Sequence, residues 1–288
     1  MAKKFIYLKK QILAIEDIKE TVKALEKIAA ANIHNLKLTS QRMKEYEERL
    51  KEVWSDIEQE DTLHPLFKKT NTFKKLKILI TTEKGLCGSL LNRLLDFFQS
   101  FLLRENEDIM VVGEKGKKLC DERGIKINYF FRGTKEIPKE EDINQIRNFV
   151  ISQFLEKKYS EVVIFYSSFE SLALQNPTVF KFLPFEKKEF EREFQKESKI
   201  ISAYPIYEPS LKEIKDYLIK EYLGLVFYQK ILEAKLSELA ARTIAMEEAG
   251  QKAQELIVQL SHQYMKAKRE AVTKDINDLY SHWLIKHL

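Results

Sequence analysis

Helix-breaking residues are confined to one part of this chain of 288 residues. All six prolines lie between positions 65 and 209, and six of the eight glycines lie between positions 85 and 133. The first 64 residues contain neither type, and the last 79 contain only Gly224 and Gly250. Because glycine and proline interrupt regular structure most strongly, this distribution predicts a long helix at each end and a compact domain between them. The predicted segments are 1–64, 65–209 and 210–288.

Apolar residues recur in the C-terminal segment with the spacing of a coiled coil. Steps of three and four residues from Leu211 to Ala271 pass through eighteen positions, of which fifteen are apolar, aromatic or alanine. A seam with a period near 3.5 residues that is sustained over this length is typical of supercoiled helices. A helix over roughly 210–284 would be about 110 Å long, which is too long for the interior of a globule of this chain length.

The N-terminal segment has a similar seam and predicts a helix over roughly residues 3–58. Neither seam is stable in water, and the middle domain joins the two helices at one end. We therefore expect the helices to pack antiparallel, with the end of the longer C-terminal helix projecting past its partner. The N-terminal seam consists of Leu8, Ile12, Ile15, Ile18, Val22, Leu25, Ala29, Ile33, Leu36, Met43, Leu50 and Ile57.

The middle segment alternates between predicted strands and predicted helices. Strands are expected at 77–82, 109–112, 125–131, 162–166 and 179–185, and helices at 89–103, from about 115, and at 140–156. This alternation predicts a largely parallel sheet covered on both faces. The expected fold class is α/β: an antiparallel coiled coil of long N- and C-terminal helices plus a central Rossmann-like α/β domain.

Charge and composition exclude several classes of protein. The 49 basic and 44 acidic residues give a net charge of +5 and are interleaved, which argues against a nucleic-acid partner. No apolar stretch approaches about 18 residues, so direct insertion into lipid is not expected. The only cysteines, Cys87 and Cys120, suit a reducing compartment and make a disulfide framework improbable.

The sequence Gly85-Leu86-Cys87-Gly88 is the sharpest local motif and follows a predicted strand. A nucleophile elbow places a serine or cysteine at such a turn, and this leaves a cysteine-nucleophile hydrolase as one alternative. That chemistry also needs a histidine from a later loop, whereas the later histidines all lie on the terminal helix. We expect a structural turn with Cys87 as a small buried residue, and we expect no catalytic residue, cofactor or metal site.

Several segments, taken in order, resemble the γ subunit of F-type ATP synthases, the central rotor stalk of those complexes. The likeness covers nearly the whole chain, and several strings in the correct order are more specific than any one of them. The segments that carry the resemblance are 18–31, 64–65, 80–90, 175–178, 207–210, 238–246 and 264–276.

The resemblance implies a non-catalytic rotor subunit. In that family the terminal helices form an asymmetric coiled coil inside a ring of alternating α and β subunits, which carries the nucleotides and the chemistry. The middle domain lies against the ε subunit and the ring of membrane c subunits. The implied function is to couple proton-driven rotation of the c ring to ATP synthesis or hydrolysis. The implied location is peripheral, at the cytoplasmic face of the plasma membrane.

The resemblance also implies contact residues for the α/β ring. Lys23 and Leu25 lie where the first helix of the family meets a β subunit, although Leu25 is equally well interpreted as an ordinary seam residue. Arg242 resembles an arginine that faces acidic loops of the ring, and a solvated surface arginine is the plain alternative. Gly85, Cys87 and Gly88 are assigned to the turn and its packing.

Further contacts are implied near the C-terminus, where the chain also departs from the family. Arg269, Thr273 and Asp275 occupy polar positions that touch the ring, but Arg269 stands where a neutral amide is usual. Residues 280–288 are bulkier and more aromatic than the usual small-residue tail, which predicts a wider or differently lined bearing. A freestanding coiled-coil scaffold without an ATPase partner remains a second alternative.

Overall fold

The computed structural model describes residues 2–55, 57, 64–68, 70–102, 106–186 and 207–287. Two long helices dominate them: α1 spans Ala2–Ser55 and α5 spans Leu211–His287. These bounds agree with the expected helices to within a few residues. Between them lie β1 (Lys75–Ile80), α2 (Leu90–Ser100), β2 (Glu107–Val112), α3 (Glu114–Glu122), β3 (Tyr129–Phe131), α4 (Glu140–Leu155), β4 (Glu161–Phe169) and β5 (Gln175–Leu183).

The five strands form one sheet in the order β3-β2-β1-β4-β5. The first four are parallel, and β5 is antiparallel to β4. The expected largely parallel sheet and the α/β fold class are therefore confirmed. The reversed strand β5 lies at the edge of the sheet, where Pro177 is tolerated because a ladder hydrogen bond is not needed on the open side.

Two strand boundaries differ from the sequence prediction. The third strand covers only Tyr129–Phe131, because the Asn128 side chain accepts the Ile109 N–H at 2.9 Å and takes the place of a ladder bond. The fifth strand begins at Gln175, four residues earlier than expected, because β4 and β5 form a hairpin in which Gln175 pairs with Phe169. Pro177 carries the sequence signal of a turn, although an edge strand tolerates it.

The described chain divides into two compact units. One contains residues up to Ala29 together with those from Arg242 onward, and the other contains Ala30–Ala241. The sheet and its core belong to the second unit. There, Phe165 of β4 packs against the rings of α2, with ring centroids 5.0 Å from Phe98 and 6.3 Å from Phe97.

Helix α5 packs against the sheet within the second unit. The ring of Phe182 on β5 lies 5.3 Å from that of Phe227, and Tyr166 of β4 donates a hydrogen bond to Glu233. Because α5 lies between the sheet and α1 in this unit, burial in this stretch of α5 is nearly continuous from Leu218 to Ala240. A helix that is apolar on all sides is the pattern expected of such an enclosed position.

A polar network closes the amino end of the parallel strands. The buried carboxylate of Asp108 accepts hydrogen bonds from Lys74 at 2.8 Å and from Tyr159 at 2.6 Å, and the Tyr159 and Tyr129 hydroxyls lie 3.1 Å apart. Burial alone would raise the pKa of Asp108, but the bonds from Lys74 and Tyr159 outweigh burial and hold that pKa below its usual value. The ionised carboxylate therefore stabilises the fold.

Replacing Tyr159 with phenylalanine is expected to lower the free energy of unfolding by about 1–2 kcal/mol at pH 7, because Asp108 loses a buried donor. A carboxyl group with a lowered pKa stabilises the fold fully above about pH 4, and this contribution is lost as the pH falls further. The difference between the two proteins should therefore narrow between pH 7 and pH 3 in urea unfolding experiments. Exposed Tyr217→Phe serves as the control. An equal difference at both pH values would contradict the prediction.

Candidate partner-binding surfaces

Helices α1 and α5 pair with each other in the first unit. The ring of Phe5 lies 6.3 Å from that of Tyr264, and Lys19 donates a hydrogen bond to Gln254. Farther along α1, Val22 lies opposite Gly250, where an added Cβ would come to 3.9 Å from a Val22 methyl group. Positions rise along α1 as they fall along α5, so the two helices run antiparallel here.

The same two helices pair in the second unit. Gln229 donates a hydrogen bond to Glu47 at 2.7 Å, and Tyr46 donates one to Glu221 at 3.0 Å. A cluster of Leu50, Ile57, Leu218 and Leu225 fills the seam between them. The antiparallel pairing is confirmed in both units. One assignment to the N-terminal seam was wrong: Ile18 is 57% exposed, because the pair covers only part of the α1 surface.

Helix α5 extends beyond the start of α1. Because Phe5 lies opposite Tyr264, the residues after about 271 have no turn of α1 beside them. This last stretch is about 24 Å long at the rise of an α-helix. Its described side chains are exposed, and Tyr280 and Trp283 stack with ring centroids 6.4 Å apart. The expected projection of the C-terminal helix past its partner is confirmed.

The helix pair of the first unit leaves many large apolar side chains in solvent. A concentration of large exposed apolar side chains is typical of a surface that a partner covers. The surface formed by these side chains is named the apolar helix surface below. Its members are Ile6, Tyr7, Leu13, Ile18 and Ile28 of α1 and Leu256, Val258, Met265, Val272, Ile276, Leu279, Tyr280 and Trp283 of α5.

Most of the predicted contact residues lie on this same unit and are accessible. Lys23 is exposed and Leu25 is half-buried, so Leu25 contributes to the seam while retaining accessible surface. On α5, Arg269, Thr273 and Asp275 are all exposed. The structure therefore brings the N-terminal and C-terminal candidates onto one pair of helices.

Arg242 differs from the other candidates because its side chain is only 6% exposed. The interpretation of Arg242 as a solvated surface arginine is therefore wrong. It follows a stretch of α5 with other buried charges, including the pair of Lys235 and Glu238, whose charged atoms are 2.8 Å apart. Sequence reasoning missed these buried charges. The available sequence signal was that α5 is apolar even at positions outside the seam, which indicates a helix that is buried on several sides.

The turn after β1 has the backbone geometry that its glycines predict. Gly88 has a φ of 57°, and Leu86 adopts the same left-handed region with a φ of 66°. Cys87 between them is buried, and Gly85 packs against the Lys115 side chain. Cys87 and Cys120 are both unbridged, and burial, with Asp121 nearby, raises the pKa of Cys120 to about 11. The turn is therefore packed around a buried Cys87.

Comparison with known proteins identifies the family. A family model described as ATP synthase matches residues 5–281. The chain belongs to the ATP synthase family. It is 29% identical over 276 residues to the ATP synthase gamma chain of Halothermothrix orenii, covering 94% of this chain and 95% of the relative. Further relatives of this family member are also ATP synthase gamma chains, which confirms the resemblance found in the sequence.

Solved structures share the fold of this ATP synthase family member. One is a chain of the Euglena gracilis mitochondrial ATP synthase, OSCP/F1/c-ring, in rotational state 3, with a TM-score of 0.70, 16% identity and coverage of 100% of this chain and 96% of that chain. Another is from the rotor of the same enzyme in rotational state 1, with a TM-score of 0.65, 16% identity and coverage of 94% and 100%. Both matches support the fold class expected from the sequence.

Two carboxylates that sequence reasoning did not single out hold the turn of this ATP synthase family member in place. Glu83 accepts the N–H groups of Glu114 at 3.1 Å and of Gly133 at 2.8 Å. These three residues follow β1, β2 and β3, whose carboxyl ends meet at one edge of the sheet. That topology was the available signal for Glu83.

Glu136 joins the same turn to α1. Its carboxylate accepts hydrogen bonds from Asn32 of α1 at 2.7 Å and from Lys84 at 3.0 Å. No sequence signal linked these positions, which are far apart in the chain. Within the described residues, no cluster of histidine, cysteine, aspartate or glutamate suits a metal ion, and no helix is sufficiently long and apolar to cross a bilayer.

Proposed function

We propose that this chain is the non-catalytic central-stalk subunit of a rotary ATP synthase. In this proposal, residues 1–64 and 210–288 supply a rotating axle and residues 65–209 supply its base. The axle couples proton-driven rotation of a c ring to ATP synthesis or hydrolysis in a surrounding ring of α and β subunits. The base contacts the ε subunit and the c ring, and the chain is peripheral at the cytoplasmic face of the plasma membrane.

The observation that carries this proposal is the apolar helix surface on an antiparallel pair of unequal helices. A pair that buries only its mutual seam is incomplete as a freestanding structure, because large apolar side chains of both helices remain in water. A ring of subunits around the pair would cover all sides of it. A scaffold that works alone would gain nothing from Leu279, Tyr280 and Trp283 in solvent.

The difference between the surfaces of the two helices allows the axle to change the states of the ring subunits. A subunit of the ring changes state only if the axle binds its open and closed forms with different free energies. The two helices present different residues, such as Lys23 on α1 and Asp275 on α5, so each ring subunit meets a different surface as the axle turns. An axle with the same surface on every side would bind all ring subunits equally and would not change the state of any of them as it turned.

Contact roles for individual residues belong to this proposal. The exposure of Lys23, Arg269, Thr273 and Asp275 supports their assignment as contacts with the α/β ring. Leu25 has less accessible surface and Arg242 has very little, so exposure supports their assignment as contacts less strongly. The stacked Tyr280 and Trp283 support a wide or aromatic-lined bearing for the tail.

Reconstitution tests the assignment. The full chain, expressed with the α and β subunits of its own organism, is expected to co-purify with them and to produce a complex that hydrolyses ATP. Cys87→Ala should retain that activity, because Cys87 is a buried residue of a turn. If the chain were a cysteine-nucleophile hydrolase, the same substitution would abolish its activity. Failure to assemble with both subunits would remove the rotor assignment.

Cross-linking separates a rotor from a static scaffold. Cys87 and Cys120 are buried, so a maleimide photo-cross-linker should label mainly a cysteine introduced at exposed Lys23. After illumination, Lys23→Cys is expected to form a covalent adduct with a ring subunit, and ATP hydrolysis should fall in proportion to the cross-linked fraction. The matched Arg132→Cys variant, at an exposed position beside Glu114, should form no adduct with the ring. An adduct at position 23 without loss of turnover would contradict rotation.

A further inference from the structure

A small internal cavity lies where the carboxyl ends of β1 and β4 meet α5. Its volume is about 20 Å³, and both the sheet and the helix contribute to its walls. The sheet side includes Thr82 and Ser167, which are close because Leu79 of β1 pairs with Phe165 of β4 two or three residues earlier. The α5 side includes Lys235 and Glu238. Polar side chains therefore reach the cavity from both the sheet and the helix.

Two hydroxyl groups at this cavity lack partners. Thr82 is 4% exposed and Ser167 is 3% exposed, and within the described residues neither side-chain oxygen has a hydrogen bond. Leaving a buried hydroxyl unpaired is unfavourable, and native proteins rarely tolerate it. Neighbouring Thr81 illustrates the usual outcome, because its hydroxyl donates to the Val112 carbonyl at 2.7 Å.

The opposite wall supplies an unused donor. A lysine ammonium carries three N–H groups, and the bond that the structure gives Lys235 is the one to Glu238 at 2.8 Å. Lys235 itself is buried. One molecule that accepts from this ammonium and donates to both hydroxyl oxygens would give Thr82, Ser167 and Lys235 a shared partner. Water has this capacity, with two donors and two acceptor sites.

We propose that the cavity is a binding site for one structural water molecule that bridges Thr82, Ser167 and Lys235. A cavity needs roughly 10–15 Å³ to hold one water, and a buried water typically makes about three hydrogen bonds. The cavity of about 20 Å³ meets the first requirement for a single molecule, and the three groups meet the second. The bridge fastens α5 to β1 and β4 at the carboxyl edge of the sheet.

Isosteric substitution distinguishes a bridged hydroxyl from an unpaired one by the sign of its effect. If water bridges the site, Thr82→Val removes a hydrogen bond from a buried water and should lower the folding equilibrium constant of the full chain about tenfold. If the hydroxyl is unpaired, the same change should leave the constant unchanged or raise it. Ser167→Ala should behave in the same way. The readout is urea unfolding, supported by hydrogen exchange of β1 and β4.

The double variant and a matched control complete the test. Because either substitution already disrupts the bridge, the variant that carries both Thr82→Val and Ser167→Ala should lower the folding equilibrium constant by less than the product of the two single fold-changes. Thr39→Val, at an accessible hydroxyl on α1 that bonds its own helix, should change the constant less than about twofold. A high-resolution map of the assembled complex should show one water within about 3.2 Å of both hydroxyl oxygens. A dry cavity, or a stabilised Thr82→Val variant, would overturn the proposal.

Discussion

Replacing Glu238 with leucine is expected to lower the free energy of unfolding by about 3–5 kcal/mol, because it leaves the buried Lys235 ammonium without its counter-ion. Side chains of both partners are almost fully enclosed, at 8% and 3% exposure. The cost of removing a charge from water is offset only while the partner is present. Urea unfolding of the full chain, followed by far-UV circular dichroism, measures the change.

A double variant shows that this loss comes from an unpaired charge. Lys235→Met together with Glu238→Leu removes both charges at similar volume and should recover most of the stability that the single change loses. The exposed pair of Arg123 and Asp96 supplies the comparison, since Asp96 is largely in solvent and Asp96→Ala should cost less than about 1 kcal/mol. A single Glu238→Leu variant as stable as the double variant would show that the prediction is wrong.

Replacing Phe165 with alanine is expected to lower the free energy of unfolding by about 3–5 kcal/mol, by opening a cavity in the hydrophobic core between β4 and α2. Phe165 is 1% exposed and its ring contacts three phenylalanine rings, the most distant of which has its centroid 6.3 Å away. Urea unfolding again measures the effect.

Exposed Phe73 provides the matched control for that cavity. It is 88% exposed, so Phe73→Ala removes the same atoms without opening a cavity and should change stability by less than about 0.5 kcal/mol. Phe165→Leu should lower the free energy of unfolding by an amount between those of Phe73→Ala and Phe165→Ala. Equal effects at positions 73 and 165 would mean that the rings of α2 collapse into the space left by Phe165.

The parts of the fold that follow from periodicity were predictable from the sequence. The spacing of apolar residues predicted both long helices, since a seam indicates a buried face. The middle domain, which joins the helices at one end, predicted their antiparallel pairing. Strand β5 was located only in part, because Pro177 carries the signal of a turn while an edge strand tolerates it. The short length of β3 was not predictable, because it depends on the hydrogen bond between the Asn128 side chain and the Ile109 N–H, which the local sequence pattern does not indicate.

The environments of the candidate contact residues were also only partly predictable from the sequence. Thr273 and Asp275 are exposed because only one helix remains beyond the start of α1, whereas Arg269 is exposed on the face of α5 that α1 leaves uncovered. Arg242 was harder to place, since its burial depends on what surrounds α5 and not on the residues beside it. The link from Glu136 to Asn32 and Lys84 joins segments that only tertiary structure brings together.

The seam of the first unit is lined on the α5 side by small residues, among them Gly250, Ala253, Ala267 and Ala271. The seam of the second unit contains leucines such as Leu50 and Leu225. Helix axes lie about 8 Å apart when contact residues are small and about 10 Å apart when they are large. The small residues therefore predict closer helix axes in the first unit, and since the torsional rigidity of a rod rises steeply with its radius, we expect this unit to be the more compliant one. Elastic twist under load will therefore accumulate there first.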